Sequence, residues 1–200
     1  MDLQTSTFEL VKRFQDGEQS AFSLIFRKYQ RRLAVLVYYK MSADLRARME
    51  VDDVLQVVFF DASRSLDRFT YQNPGSLTAW LSRLADNAIV DAARFENREK
   101  RRAEDLLTFR SESNPRGADP VHFETPSRIF ARNETIDTLV RSLDALPAAY
   151  RQAILVTKFE GLTTSEFAER VGKSRQDAAL LLHRAIKRFR ELEQVPEMTR

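Results

Sequence analysis

The chain has 200 residues, with 32 Lys and Arg against 29 Asp and Glu, a net charge of +3. That balance is too small to argue for a polyanionic partner, so charge placement must carry any such argument. Cysteine is absent and only His122 and His183 are present. These counts exclude disulfide scaffolds, thiolate metal sites, thiol catalysis and a His-rich metal centre, and no cofactor is expected. Five Gly and six Pro suit long helices better than a turn-rich β-protein. The first residues lack the basic-then-apolar pattern of a signal peptide, and no apolar run approaches the roughly 20 residues of a membrane span. A cytoplasmic protein with no membrane insertion of its own is expected.

Helical periodicity begins after Asp16-Gly17. Phe22, Ile25, Phe26, Tyr29, Leu33, Leu36 and Val37 recur at steps of three and four, which places them on one helix face. A second stripe is Val51, Val54, Leu55, Val58, Phe59, Ala62 and Leu66. Asn73-Pro74-Gly75 breaks the chain, and Ser76 is expected to cap a third helix with Leu77, Trp80, Leu81, Leu84, Ala88 and Ala92 inward. Trp80 belongs with that stripe as a core residue.

Residues 111–127, with three prolines and many small polar side chains, have a linker's composition. Three segments follow: a domain over 1–100, a linker over 101–130 and a second domain over 131–195. The second starts with an amphipathic helix through Ile129, Ile136, Leu139, Val140 and Leu143. Pro147 then sits where a helix start tolerates proline, and Ile154, Leu155 and Phe159 lead to a stop at Glu160-Gly161.

The sharpest local signal is 161–190. Thr163 and Glu166 have capping-box spacing, Gly172 suits a tight turn, and Ser174 with Asp177 starts another helix. A short helix, a glycine turn and a longer helix form the helix-turn-helix pattern, whose second helix enters the major groove by its N-terminal residues. Arg184, Lys187, Arg188 and Arg190 supply charge for phosphates. An ordinary αα-hairpin with a solvated basic end would share this pattern.

Two further segments stand out. Arg94 to Arg102 holds five cations and two acids beside the Trp80 helix, the composition of a single-strand phosphate track or of a solvated helix end. Asp52, Asp53 and Gln56 open the second stripe, either as dipole-matched acids at a helix start or as part of a face for a partner protein.

Asp-Asp-Val-Leu-Gln-Val-Val-Phe (52–59), followed by Ala62 and Ser65 to Phe69, resembles the polymerase-binding segment of bacterial RNA polymerase sigma factors of the extracytoplasmic-function (ECF) type. Ser76 to Leu81, with Arg83, Leu84, Ala85, Asn87 and Asp91, is similar to that family's promoter-melting and minus-ten segment. Leu143 to Pro147, Tyr150-Arg151, Phe159 to Thr163, Phe167 to Ser174 and Leu182 to Ala185 resemble its second conserved domain. Three motifs in this order, divided by a linker, are specific where each alone is not.

The resemblance implies an all-α chain: a sigma region 2-like bundle and a region 4-like helix-turn-helix, joined by a flexible linker. It implies a sigma factor, not an enzyme, that brings core RNA polymerase to promoter DNA and assists opening, with an anti-sigma factor as further partner. Core polymerase would meet Asp52, Asp53, Gln56 and Phe60. The minus-ten strand would meet Arg83, Asn87, Arg94, Arg98 and Lys100, and the minus-thirty-five element Thr163, Ser174, Arg175, Gln176, Ala179, His183, Arg184 and Lys187. Three positions depart from the family's pattern. Arginines are common where this chain has Ala179 and Leu181, and an arginine is common where it has Asp86. An apolar run cannot donate to guanine edges, so Leu180 and Leu181 could instead cover the linker or an inhibitory partner. Two other readings stay open: a stand-alone helix-turn-helix regulator, and a sigma-like interaction protein that reads DNA weakly.

Overall fold

The computed structural model describes residues 6–73, 75–105 and 134–193, with side chains throughout these stretches except in 97–105. His122 and Ile129 lie outside the described residues. So does the expected linker beyond residue 105.

The described residues form helices with no strand among them. The first group is α1 (Thr7–Gln15), α2 (Ser20–Lys40), α3 (Ala43–Arg46), α4 (Val51–Ser65) and α5 (Ser76–Asp105), with a 3-10 turn at Leu66–Arg68. The second is α6 (Glu134–Asp144), α7 (Ala148–Ile154), a π-helical turn at Leu155–Phe159, α8 (Thr164–Arg170) and α9 (Arg175–Glu193). Helix α5 runs past residue 101, where the linker was expected to begin.

The sequence stripes become the core. Val51, Val54, Leu55, Val58, Phe59, Ala62 and Leu66 are all buried, as are Leu77, Leu81, Ala85 and Ala88 on α5. Trp80 is half-buried against the core, its ring 5.1 Å from that of Phe69. Ser76 does not cap α5. It is the first helical residue, and its hydroxyl turns back to donate to the Asn73 carbonyl (2.8 Å). The Asn73 side chain accepts from Gly75 N–H (2.9 Å), a local turn that outcompetes the cap.

Helix α2 is the centre of the molecule. It packs against α1, α4 and α5, and also against α6 and the 155–159 turn. The stripe predicted at Leu33, Leu36 and Val37 is therefore widened: Ala34 and Val35 are buried as well, so the helix is enclosed on every side over 33–37. At its end the Tyr39 hydroxyl donates to the Val140 carbonyl (3.1 Å) and meets Asp144 Oδ1 (2.9 Å). Burial, then the Asp144 carboxylate, push that phenol well above its ordinary pKa. Lys40 Nζ lies 2.7 Å from Asp86 and 3.6 Å from Glu160, and Glu160 is 2.7 Å from Arg170.

The π turn brings this second group close. Glu160 N–H reaches back to the Leu155 carbonyl (2.9 Å), and the chain then reverses at Gly161, whose φ is +86°. A Cβ on Gly161 would lie 2.8 Å from the Gly75 carbonyl oxygen and 2.9 Å from Thr78 Cβ. The two backbones touch because neither glycine has a side chain.

Gly161 and Gly172 both have positive φ, but only Gly161 is crowded. Gly172→Ala is expected to cost about 1–2 kcal/mol for the left-handed backbone. Gly161→Ala is expected to cost roughly 1–3 kcal/mol more through overpacking. Urea unfolding of the two variants measures the difference.

Candidate nucleic-acid interface

Helix α8 begins with the capping box read from the sequence. Thr163 Oγ1 accepts from Glu166 N–H (3.3 Å), and the Glu166 carboxylate accepts from Thr163 N–H (2.7 Å). The backbone N–H and then the hydroxyl of Thr163 hold the Glu166 carboxyl below its usual range. Gly172, with φ +64°, turns the chain into α9. Ser174 Oγ accepts from Asp177 N–H (3.1 Å) and donates to the Asp177 carboxylate (2.7 Å). Phe167, Ala168, Ala178 and Ala185 seal the two helices together.

That packing sorts the sequence-derived residues of α9. Arg175, Gln176, Ala179, His183, Arg184 and Lys187 are all exposed. Positions 176, 179, 183 and 187 recur at helical steps, so they line one face. Thr163 and Ser174 are exposed at the two helix starts, with their hydroxyls engaged in the caps.

Helices α4 and α5 pack side by side and each shows a stripe to solvent. On α4 this is Asp53, Gln56, Val57, Asp61 and Arg64, with half-buried Asp52 and Phe60 at its border. The acids open the helix, where the macrodipole favours negative charge. The Arg64 guanidinium lies 5.3 Å from the Phe60 ring centroid. On α5 the stripe is Arg83, Asn87, Val90 and Arg94, at steps of four, three and four. Arg94 is 3.3 Å from Asp91. Arg98 and Lys100 continue the same helix, but their side chains lie outside the described residues. The stripes lie on helices packed against each other; burial raises the Asp61 pKa, Arg64 opposes the rise and the charge of Asp91 adds to it.

Sequence reasoning missed three exposed apolar residues here, Val57 (49% exposed), Val90 (46%) and Phe95. Their helical offsets from Asp53, Asn87 and Asp91 would have found them. Asp86 has its explanation in the fold: its carboxylate is paired with Lys40, on the side where the second helix group packs. Among the described residues no cluster of His, Asp and Glu could hold a metal, and no helix is long and apolar enough to cross a membrane.

A helix-turn-helix with an open second helix thus stands on the same chain as an acidic stripe beside an arginine-and-asparagine stripe. A family model described as "ECF sigma factor" matches residues 4–193. The chain is 30% identical over 169 residues to the ECF RNA polymerase sigma-E factor of Escherichia coli (strain K12), covering 84% of each protein. It is 28% identical over 160 residues to that of Haemophilus influenzae, covering 80% of each. Among solved structures it is similar to that of CnrH in complex with the cytosolic domain of CnrY, at 23% identity and a TM-score of 0.41, over 92% of this chain and 94% of that one. The chain belongs to the ECF sigma factor family. It is a sigma factor that directs core RNA polymerase to promoters.

The capping box yields a pH-linked expectation. Thr163→Ala should cost about 1 kcal/mol at neutral pH. The Glu166 pKa is lowered in the fold, so its contribution is present above the ordinary carboxylate pKa and is lost as pH falls through the lowered value. The stability gap between wild type and Glu166→Ala, read by thermal unfolding, should therefore narrow in acid.

Proposed function

We propose that this sigma factor uses its three exposed faces for separate tasks. The α4 stripe of Asp52, Asp53, Gln56 and Phe60 docks on core polymerase. Arg83, Asn87 and Arg94 on α5, continued by Arg98 and Lys100, take the displaced minus-ten strand, whose phosphates need cations and whose bases need polar partners. The face of α9 from Arg175 to Lys187, with the capped starts at Thr163 and Ser174, meets the minus-thirty-five element. The observation that carries this reading is the adjacency of the α4 and α5 stripes, both facing solvent, on helices locked together by a shared core. A stand-alone regulator would need neither stripe.

The domains follow as 1–100 and 131–195, joined by 101–130. The protein is cytoplasmic, works without catalysis of its own, and has an anti-sigma factor as its further partner, as the family resemblance implies. The packing of α2 against α6 is the resting state. Elements named for positions ten and thirty-five lie roughly 25 base pairs, about 85 Å of duplex, apart. Two touching domains of under 100 residues, each with a radius of gyration of about 12 Å, do not span that length. The two groups therefore part when promoter is engaged.

The first test is promoter-specific abortive transcription with core enzyme. Asp53→Ala should lose core binding. Asn87→Ala should keep core binding and lose promoter opening, read by permanganate reactivity of unpaired thymines. Product from wild type that neither substitution alters would refute the assignment of these faces. The second uses the absence of native cysteine. Dyes on Arg31→Cys and Gln152→Cys, both exposed, should transfer energy in the free chain and lose transfer in the promoter complex. Unchanged transfer would refute the opening.

A further inference from the structure

The fold divides the apolar run of α9. Ala178 is buried, and Leu181 and Leu182 are half-buried against the core. Ala179 and Leu180 point to solvent, and Leu180 is 47% exposed. They share the outer face with Gln176, His183, Arg184 and Lys187, and they occupy the N-terminal half of the second helix of the helix-turn-helix. That half is the one that enters a major groove.

Water around a leucine at this place is unfavourable, and about half of Leu180 is left open to it. The major groove offers one methyl group, the C5 methyl of thymine, and only A·T pairs carry it. Alanine and leucine can neither donate nor accept a hydrogen bond. They distinguish thymine from the other bases only through that methyl. Gln176, one turn earlier on the same face, carries an amide that matches the N6 and N7 edge of adenine. The exposed cations Lys173, Arg175, Arg184 and Lys187 surround the apolar patch and complement phosphates on either side. Asp177, the acid nearest the patch, is held by its bond to Ser174 in the cap.

We propose that Ala179 and Leu180 are specificity-determining residues that read thymine methyl groups of an A·T-rich upstream promoter element by apolar contact. The proposal rests on α9 being the minus-thirty-five helix. At Ala179, one of the positions where the family commonly carries arginine, and at Leu180 beside it, it puts apolar contact with thymine in place of guanine recognition.

The experiment uses the full chain with core polymerase. An upstream element is first selected from randomised duplex placed before a fixed minus-ten element. Each thymine of the selected element is then replaced by deoxyuridine, which keeps every base-pairing and groove hydrogen bond and removes only the methyl. One or two replacements should weaken holoenzyme binding by about fourfold each, the worth of one buried methyl-sized group. In Leu180→Ala the penalty at one of these positions should vanish. Because Leu180 is exposed, that variant should melt within a degree or two of wild type.

Wild-type binding indifferent to every deoxyuridine would overturn the methyl readout while leaving the α9 assignment intact. A selected element dominated by G·C pairs would do the same. Loss of core polymerase binding in Leu180→Ala, with deoxyuridine tolerated, would reassign Leu180 to a protein contact. Binding that ignores the upstream sequence altogether would refute the underlying reading of α9.

Discussion

Residues 33–37 of α2 are apolar on every side, and the rest of the architecture follows from the need to bury them. Leu33, Ala34, Val35, Leu36 and Val37 are all enclosed. A helix apolar all round cannot rest on one neighbouring layer. Helices α1, α4 and α5 pack on α2, and so do α6 and the 155–159 turn. Fully burying a valine or leucine is worth roughly 1.5–3 kcal/mol. Uncovering even part of this segment is therefore a substantial cost.

Polar contacts set the geometry of that cover. Lys40 links α5 through Asp86 to the π turn through Glu160, and Arg170 extends the chain of charges into α8. Tyr39 ties the end of α2 to α6. The charges are partly solvated, so they add register more than energy. Gly75 and Gly161 remove the last obstruction by letting two backbones meet. The contact between the two helix groups thus combines helix packing, polar links and a close backbone approach. Such an interface can be closed in solution and still open when a larger surface competes for the chain.

Much of the candidate site was legible in the sequence because it is local. The Thr163–Glu166 box, the Gly172 turn and the Ser174 cap depend on side chains three residues apart, and spacing alone reveals them. The α4 and α5 stripes were half legible. Their buried faces follow from periodicity, and charged residues on the outer faces marked the candidate site. Val57, Val90 and Phe95 escaped because an apolar residue off the stripe carries no signature until its exposure is known. Ser76 misled for a related reason: its cap spacing was right, but Asn73 held the preceding loop in a competing turn.

Sequence alone determined that the chain is helical, where most of its helices lie, which end carries a helix-turn-helix and which family it resembles. These properties follow from periods of three and four, from caps and from turn residues within a few positions of each other. Only the tertiary structure decided that Ala34 and Val35 are interior, that Asp86 serves Lys40 and that Leu180 is left facing outward. Each depends on which element arrives from far along the chain: α6 on α2, α5 beside Lys40, or none over Leu180. Burial is a property of neighbours, and periodicity within one helix carries no information about them.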